Sequence, residues 1–254
     1  MNNTINKHSN KLLSIYFTAG YPNLDDTVPI IESLDKAGVD FIEIGMPFSD
    51  PVADGQVIQQ SNLQALNNGM SVEKLFEQLE GIRNKVQIPL ILMGYFNPVY
   101  QYGVENFCKK CAEVGIDGVI IPDLPLDEYE DNYKDIFEKN GIHNILLITP
   151  QTSEERIRKI DEASNGFIYM VSSSSTTGAK SSATEFKKEY FERIKNMNLK
   201  NPTMIGFGIS NKETFDNACR YANGAIIGSA FVKHIGENGI GDDNIKTFVD
   251  KVRC

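Results

Sequence analysis

The chain has 254 residues, of which 41% are apolar and 23% are charged, with 20 Gly, 10 Pro, four Cys and no Trp. This composition is typical of a globular protein and argues against a disordered chain, a collagen-like chain and a disulfide scaffold. The net charge of -9 offers no basic surface for nucleic acid or for an anionic membrane. No apolar run reaches the ~18 residues of a membrane-spanning helix. Residues 1–11 are polar and lack the apolar stretch of a signal peptide, so we expect a cytoplasmic protein.

Short apolar runs, rich in β-branched residues, recur at intervals of roughly 30 residues. They are continuous rather than alternating, which is typical of parallel strands buried on both faces. In chain order the predicted strands are Ser14–Ala19, Phe41–Met46, Pro89–Tyr95, Gly118–Asp123, Asn144–Thr149, Phe167–Ser172, Thr203–Gly208 and Ala225–Ser229. Amphipathic helical patterns separate them, and Gly38, Gly115 and Gly141 are predicted to end three of these helices.

Strands that are each followed by helical sequence predict an α/β fold, a single (β/α)8 TIM barrel. A doubly wound open sheet is the main alternative. It tends to carry a G-x-G-x-x-G motif after its first strand, whereas the first strand here runs into FTAGYPN. No linker or low-complexity segment divides the chain. We therefore expect residues 1–254 to form one domain, with a polar N-terminal segment at 1–11 and a mobile lid at 173–183 after strand six.

The second predicted strand contains the first candidate for catalysis. Glu43 interrupts FIEIGM, where its neighbours are apolar or Gly, and alternation places it on the same face as Phe41 and Gly45. Burial of a carboxylate is costly and raises its pKa toward neutrality, which is how a general acid–base is made. A structural pairing with another strand is the alternative. Because fully buried Glu is rare, we favour catalysis.

The loop that follows, PFSDPVADGQ, adds Asp50 and Asp54. Asp, Pro and Gly are common turn residues, so neither aspartate by itself indicates a site. Beside Glu43, however, a loop carboxylate would lie at the carboxyl ends of the strands, where barrel active sites form. Two carboxylates in unlike environments can hold different protonation states and take separate roles.

Glycines follow the last two predicted strands, in Gly206–Ser210 and in Gly228–Ala230. Glycine lets backbone N–H groups approach a ligand, and in barrels these two loops are a frequent phosphate site. The predicted lid contains Thr177, which could donate a hydrogen bond to a ligand. Aromatic side chains near strand ends could line an apolar pocket or simply be core. They are Phe17, Tyr95 and Tyr169.

Cys108 and Cys111 form a C-K-K-C motif within the helical pattern VENFCKKCAEVG. A zinc site would need a second pair of ligands, and the remaining Cys and His residues are scattered singly. We therefore expect two cysteines on a helix face and no metal site.

Several segments, in order from about Leu12 to the C-terminal helix, resemble the tryptophan synthase alpha subunit family: YFTAGYP, FIEIGMPFSDPVADG, a lid that ends in TTG, GFGIS and IGSAFV. The resemblance implies a lyase that cleaves indole-3-glycerol phosphate to indole and glyceraldehyde 3-phosphate in tryptophan biosynthesis. It implies that Glu43 is the acid–base that protonates indole C3 and takes the proton of the glycerol hydroxyl. Asp54 would interact with the indole N–H, and Tyr169 would form a hydrogen bond near Asp54.

The resemblance also implies a full set of binding residues. The phosphate would be held by Gly178, Gly208, Gly228 and Ser229. The substrate pocket would be bordered by Tyr16, Met93, Tyr95, Ile120, Ile148, Tyr169, Thr177 and Phe207. Asp50 and Pro51 would face a beta subunit, which carries pyridoxal phosphate in an α2β2 complex, while this chain would need no cofactor. Two alternatives remain: a free-standing lyase that releases indole, and a non-catalytic phosphate-binding barrel that acts as an allosteric subunit.

Overall fold

The structure, a computed structural model, describes residues 10–172, 180–206 and 208–254, with side chains omitted at 180–187. All of its strands are parallel. They are β1 (Leu12–Thr18), β2 (Phe41–Gly45), β3 (Leu90–Met93), β4 (Gly118–Ile120), β5 (His143–Asn144), β6 (Leu147–Ile148), β7 (Ile168–Val171), β8 (Thr203–Gly206) and β9 (Gly224–Ile227). Each predicted strand overlaps an observed strand, so the predicted strand order is confirmed.

The sheet closes on itself through β5 and β6. The order of strands is β5-β4-β3-β2-β1-β9-β8-β7-β6, with β5 at one end and β6 at the other. These two short strands lie in one extended segment. The amide of Ile145 donates to the carbonyl of Val119 and the amide of Tyr169 donates to the carbonyl of Leu146, both at 2.9 Å. The segment therefore contacts both ends of the sheet, which confirms the predicted (β/α)8 barrel.

Helices connect the strands. Their bounds are α1 (Thr27–Ala37), α2 (Gln56–Asn67), α3 (Val72–Leu79), α4 (Phe96–Tyr102), α5 (Val104–Val114), α6 (Leu126–Glu128), α7 (Lys134–Lys139), α8 (Glu154–Ala163), α9 (Lys180–Asn196), α10 (Lys212–Ala218), α11 (Ser229–Asn238) and α12 (Asp242–Arg253). A π-helical segment at Tyr129–Tyr133 joins α6 to α7. Gly38, Gly115 and Gly141 have φ of 78°, 85° and 70°, which confirms the predicted helix ends.

The predicted range of the lid, 173–183, extends into a helix. Helix α9 begins at Lys180, so the last four residues of that range are helical. Lys and Ala are good helix formers, and these four residues form the first turn of the helix that continues to Asn196. Residues 173–179 lie outside the described part of the chain, and so does the expectation that they form a mobile lid.

The strands separate two apolar layers. Outward side chains such as Ile42 and Ile44 pack with the helices, and inward side chains such as Phe41, Ile91 and Ile120 fill the barrel. The alternation predicted for β2 is therefore the observed one. Glu43 shares the inward face with Phe41, which places a carboxylate inside a barrel filled mainly by apolar and aromatic side chains.

Cys108 and Cys111 are both buried in α5. Burial raises the pKa of the Cys108 thiol to about 12 and raises that of Cys111 as well, so both thiols are protonated at neutral pH. They pack as apolar residues on the inner face of the helix. Over the described residues, no cluster of three or more His, Cys, Asp or Glu could hold a metal ion. None of the helices described is long and apolar enough to cross a membrane.

Candidate active site

Glu43 lies at the centre of the candidate site, on β2. Its side chain has no exposed surface. Ser14 on the adjacent β1 donates a hydrogen bond from Oγ to Glu43 Oε1 at 2.7 Å. Among the described residues, the buried Glu43 Oε2 has no hydrogen-bond partner. Burial raises the pKa of Glu43 to about 7, although the Ser14 hydrogen bond opposes this change. Near neutral pH the carboxyl group can therefore both give and take a proton.

Two tyrosines share this part of the barrel interior with Glu43. Tyr16 is its register partner on β1, and Tyr169 lies on β7. Their hydroxyl groups occupy space that two glycines leave open. A Cβ atom at Gly45 would overlap the Tyr16 hydroxyl, and one at Gly206 would overlap the Tyr169 hydroxyl. The glycines of these two strands therefore admit phenol groups to the barrel interior.

The tyrosines stay neutral at physiological pH. Burial raises the pKa of both Tyr16 and Tyr169, and the negative charges of Glu43 and Asp54 raise it further. The Tyr16 hydroxyl also lies 3.5 Å from Thr18 Oγ1. Each tyrosine can thus serve as a polar, uncharged contact inside the barrel.

Asp54 lies in the loop between β2 and α2, where Tyr95 holds it. The Tyr95 hydroxyl donates to Asp54 Oδ2 at 3.3 Å and accepts a hydrogen bond from the Ala53 amide at 3.0 Å. The Phe48 ring packs on the Tyr95 ring at 5.3 Å between centroids. Burial raises the pKa of Asp54 to about 6, and the Tyr95 hydrogen bond opposes this change. Asp54 is therefore mostly ionised at pH 7, while Glu43 is about half protonated.

The resemblance implied that Tyr169 forms a hydrogen bond near Asp54. Tyr169 does lie near both carboxylates, since the charge of each affects its pKa. The hydrogen bond to Asp54 described above nevertheless comes from Tyr95. Sequence reasoning placed Tyr95 in the pocket but did not predict this bond, because the residue lies 41 positions away in the chain.

For the cleavage reaction that the resemblance implies, we expect a Tyr95→Phe variant to be roughly tenfold slower than the wild-type chain. The change removes one hydrogen bond from Asp54 and one from the loop backbone. Because that bond to Asp54 stabilises the carboxylate, its loss should raise the Asp54 pKa and move the acid limb of the kcat/KM profile to higher pH. Tyr221→Phe is a matched control, because Tyr221 is half-buried against Phe191 away from both carboxylates. An unshifted acid limb in Tyr95→Phe would contradict this role.

Three of the four predicted phosphate residues, Gly208, Gly228 and Ser229, lie after the last two strands. Gly208 follows β8 and is exposed, with φ of 76° in the left-handed region that favours glycine. Gly228 precedes α11, and Ser229 is the first residue of that helix. A Cβ atom at Gly228 would come within 3.4 Å of Tyr16 Cδ1, so this position adjoins the Tyr16 ring. The N-terminus of α11 favours an anion there.

The apolar pocket residues divide into two groups. Met93 and Ile120 face the barrel interior. Ile148 does not: it is buried in the layer between sheet and helices, and so is Phe17. Because side chains alternate along a strand, Ile148 does not line the barrel interior as the resemblance implied, and Phe17 is a core residue, the second of its two interpretations. On β6 the inward residue is Leu147, the register partner of Tyr169.

The remaining predicted residues lie at the edge of the site or outside the described chain. Asp50 is exposed and Pro51 is partly exposed, in the same loop as Asp54. The residues that fall outside the described ranges are Thr177, Gly178 and Phe207. Two residues of the site were missed from the sequence, Ser14 and Leu147. Ser14 does interrupt an apolar strand, as Glu43 does, and that signal could have identified it.

Comparisons with known proteins agree with the resemblance. The profile of the tryptophan synthase alpha chain family matches residues 2–253. A tryptophan synthase alpha chain from Flavobacterium johnsoniae is 66% identical over 243 residues, which are 96% of this chain and 95% of the relative.

Solved structures extend the comparison. A tryptophan synthase alpha chain from Legionella pneumophila superposes with a TM-score of 0.84 at 33% identity, over 96% of this chain and 90% of the other. A tryptophan synthase complex from Pyrococcus furiosus gives the same TM-score and identity, over 96% and 98% of the two chains. With a family profile and a close relative that both cover almost the whole sequence, this chain belongs to the tryptophan synthase alpha chain family.

Proposed function

We propose that Glu43 and Asp54 are the groups with which this chain cleaves indole-3-glycerol phosphate to indole and glyceraldehyde 3-phosphate. The observation that carries the proposal is the environment of Glu43. It is a fully buried carboxyl group with a pKa of about 7, inside the barrel near the loop that holds Asp54, and no described residue forms a hydrogen bond with its second oxygen. A carboxyl group of that kind suits proton transfer in both directions.

The reaction needs one proton delivered and one removed. Protonation of indole C3 turns the ring into a cation that can accept an electron pair. Removal of the proton from the adjacent glycerol hydroxyl lets that oxygen form the C=O group of the aldehyde. The bond between indole C3 and the glycerol carbon breaks, and its electron pair goes to the ring. The products are indole and glyceraldehyde 3-phosphate, since the proton gained at C3 equals the proton lost from the hydroxyl. We assign both proton transfers to Glu43, the protonatable group inside the barrel with a pKa of about 7.

Asp54 has a different role in this scheme. Its pKa of about 6 leaves it ionised at neutral pH, so it can accept a hydrogen bond from the indole N–H. Protonation of C3 places positive charge on the ring, and a nearby carboxylate stabilises that charge. Tyr95 holds Asp54 in the loop, so the carboxylate is already oriented before the charge develops.

We assign the phosphate group to the glycine positions after β8 and β9. Gly208, Gly228 and Ser229 are the described members of this set, and Gly178 would complete it from the preceding loop. Backbone N–H groups at the start of α11 bind an anion without any Lys or Arg. The overall negative charge of the chain is therefore compatible with a phosphorylated substrate.

We also propose that a beta subunit binds this chain at the carboxyl ends of the strands, in an α2β2 complex. Asp50 and Pro51 follow β2 at that end. Among the described residues, the most exposed large apolar side chains are Val52 (88%), Leu63 (61%) and Tyr100 (60%). They lie in the loop after β2, in α2 and in α4, all of which follow β2 or β3. Exposed apolar residues that follow adjacent strand ends suit a protein partner. Pyridoxal phosphate would belong to that partner, and we assign no cofactor to this chain.

The test is indole release from indole-3-glycerol phosphate by the purified chain, with and without a tryptophan synthase beta subunit. We expect slow release by the chain alone and a strong increase with the partner. Fast release that is indifferent to the partner would instead indicate a free-standing lyase. Absence of indole in both assays would contradict the proposal and favour a non-catalytic binding subunit.

A further inference from the structure

Ser14 is a buried polar residue on β1 that none of the roles above uses. Its side chain and that of Glu43 are both 0% exposed. The barrel interior around them is formed by apolar and aromatic residues such as Leu12, Phe41 and Ile91. A hydroxyl group in such surroundings is costly unless it forms a hydrogen bond. Ser14 Oγ forms that bond with Glu43 Oε1, at 2.7 Å.

This bond makes the two oxygens of Glu43 unequal. Oε1 accepts from Ser14, whereas Oε2 is buried and has no hydrogen-bond partner in the part of the chain that the structure describes. Rotation of the carboxyl group would break a buried hydrogen bond, so the group is held in one orientation. We propose that Ser14 is a positioning residue for the cleavage reaction, which holds Glu43 Oε1 so that Oε2 is the oxygen that exchanges protons with the substrate. The inference rests on the proposed role of Glu43.

Ser14 also affects the charge of Glu43. Burial raises the pKa of Glu43, and the donor hydrogen bond from Ser14 opposes that change because it stabilises the carboxylate. Among the described residues, the other titratable groups near this part of the barrel are Tyr16, Tyr169, Asp54 and Tyr95. The three tyrosines stay neutral around pH 7, and the pKa of Asp54 is lower, about 6. Removal of the Ser14 hydroxyl should therefore appear as an upward shift of the Glu43 midpoint.

The experiment compares Ser14→Ala with Ser14→Thr in the full chain. We expect Ser14→Ala to lower kcat roughly tenfold with little change in KM, because the proton-transferring oxygen is no longer held. We also expect the Glu43 midpoint to rise by about one pH unit. The midpoint is measured from the pH profile of kcat/KM and from the infrared band of the protonated carboxyl group without ligand, which E43Q removes. Ser14→Thr keeps a hydroxyl and should restore both values.

Ser33→Ala is the matched control. Ser33 is a buried serine on α1 whose Oγ also donates to a carboxylate, Asp242 Oδ1 at the start of α12. This pair lies outside the barrel, between two helices. Its loss should leave both kcat and the Glu43 midpoint unchanged. If Ser14→Ala fails to fold, Ser14→Cys replaces it, since the thiol is of similar size and a weaker donor, and it should give a smaller shift in the same direction.

A wild-type kcat and midpoint in Ser14→Ala would overturn the inference. A lower kcat with an unchanged Glu43 midpoint in Ser14→Ala would also overturn it. The same holds if Ser14→Thr loses as much kcat as Ser14→Ala, because a side chain with only a packing role would produce either result. Wild-type turnover in E43Q would contradict a different statement, the proposed role of Glu43 itself. The two failures are therefore distinguishable in one set of variants.

Discussion

A Glu43→Gln variant is expected to release indole roughly a thousandfold more slowly than the wild-type chain. Glutamine has nearly the same shape, and its amide oxygen can still accept the Ser14 hydrogen bond seen at Oε1. It cannot transfer a proton. The substrate pocket should therefore keep its shape while the chemistry is lost. The measurement is kcat and KM for indole-3-glycerol phosphate, with a large decrease in kcat and a KM close to the wild-type value.

The same variant should be more stable than the wild-type chain at high pH. Folding raises the pKa of Glu43 from 4.5 to about 7 by burial, so ionisation of this group disfavours the folded state. This destabilisation of the folded state is absent below pH 4.5, the pKa of Glu43 in the unfolded chain. It increases as the pH rises to about 7, the pKa in the folded chain, and its effect is fully present well above that value. Glu43→Gln should consequently raise the free energy of unfolding by up to about 3 kcal/mol at pH 9 and by much less at pH 5.

Urea unfolding at these two pH values checks the stability effect. Glu162→Gln is a suitable control, because Glu162 is exposed at the end of α8. It should show neither the loss of activity nor the pH-dependent gain in stability. Equal stability of Glu43→Gln and the wild-type chain at pH 9 would contradict the burial of an ionisable group at this position. Retained turnover would contradict its catalytic role.

An Asp54→Asn variant should lose roughly a hundredfold in kcat while substrate binding is largely retained. Asparagine keeps an oxygen that can accept from Tyr95 and from the indole N–H, so contacts in the ground state survive. What disappears is the negative charge that stabilises the protonated ring. Because that charge on the ring exists only after C3 is protonated, the loss should fall on kcat.

Kinetics of cleavage and equilibrium binding of a non-cleavable substrate analogue separate these effects for Asp54. Asp131→Asn, an exposed change in the π-helical segment after α6, serves as the control for altered net charge. If Asp54→Asn weakens analogue binding in proportion to its loss of kcat/KM, then Asp54 positions the substrate and does not stabilise charge.

Several features of the fold and site could be predicted from local patterns. The continuous apolar runs indicated parallel strands buried on both faces, and glycine marked helix ends at Gly38 and Gly115. Helices α2 and α4 were not predicted, because α2 is largely polar and α4 contains Pro98 in its first turn. Proline is tolerated there because the N–H groups of a first turn have no helical partner.

The order of strands and helices typical of a barrel, the strand that carries Glu43 and the loop that carries Asp54 could all be predicted from the sequence. Each of these features is encoded by residues that are close together in the chain. Only the tertiary structure decided which side chains meet. Pairing of β1 with β2 brings Ser14 to Glu43, and pairing of β2 with β3 brings Tyr95 to Asp54, from 29 and 41 positions away. The tertiary structure also decides that Leu147, and not its neighbour, points inward, because the phase of alternation follows from pairing with the adjacent strand.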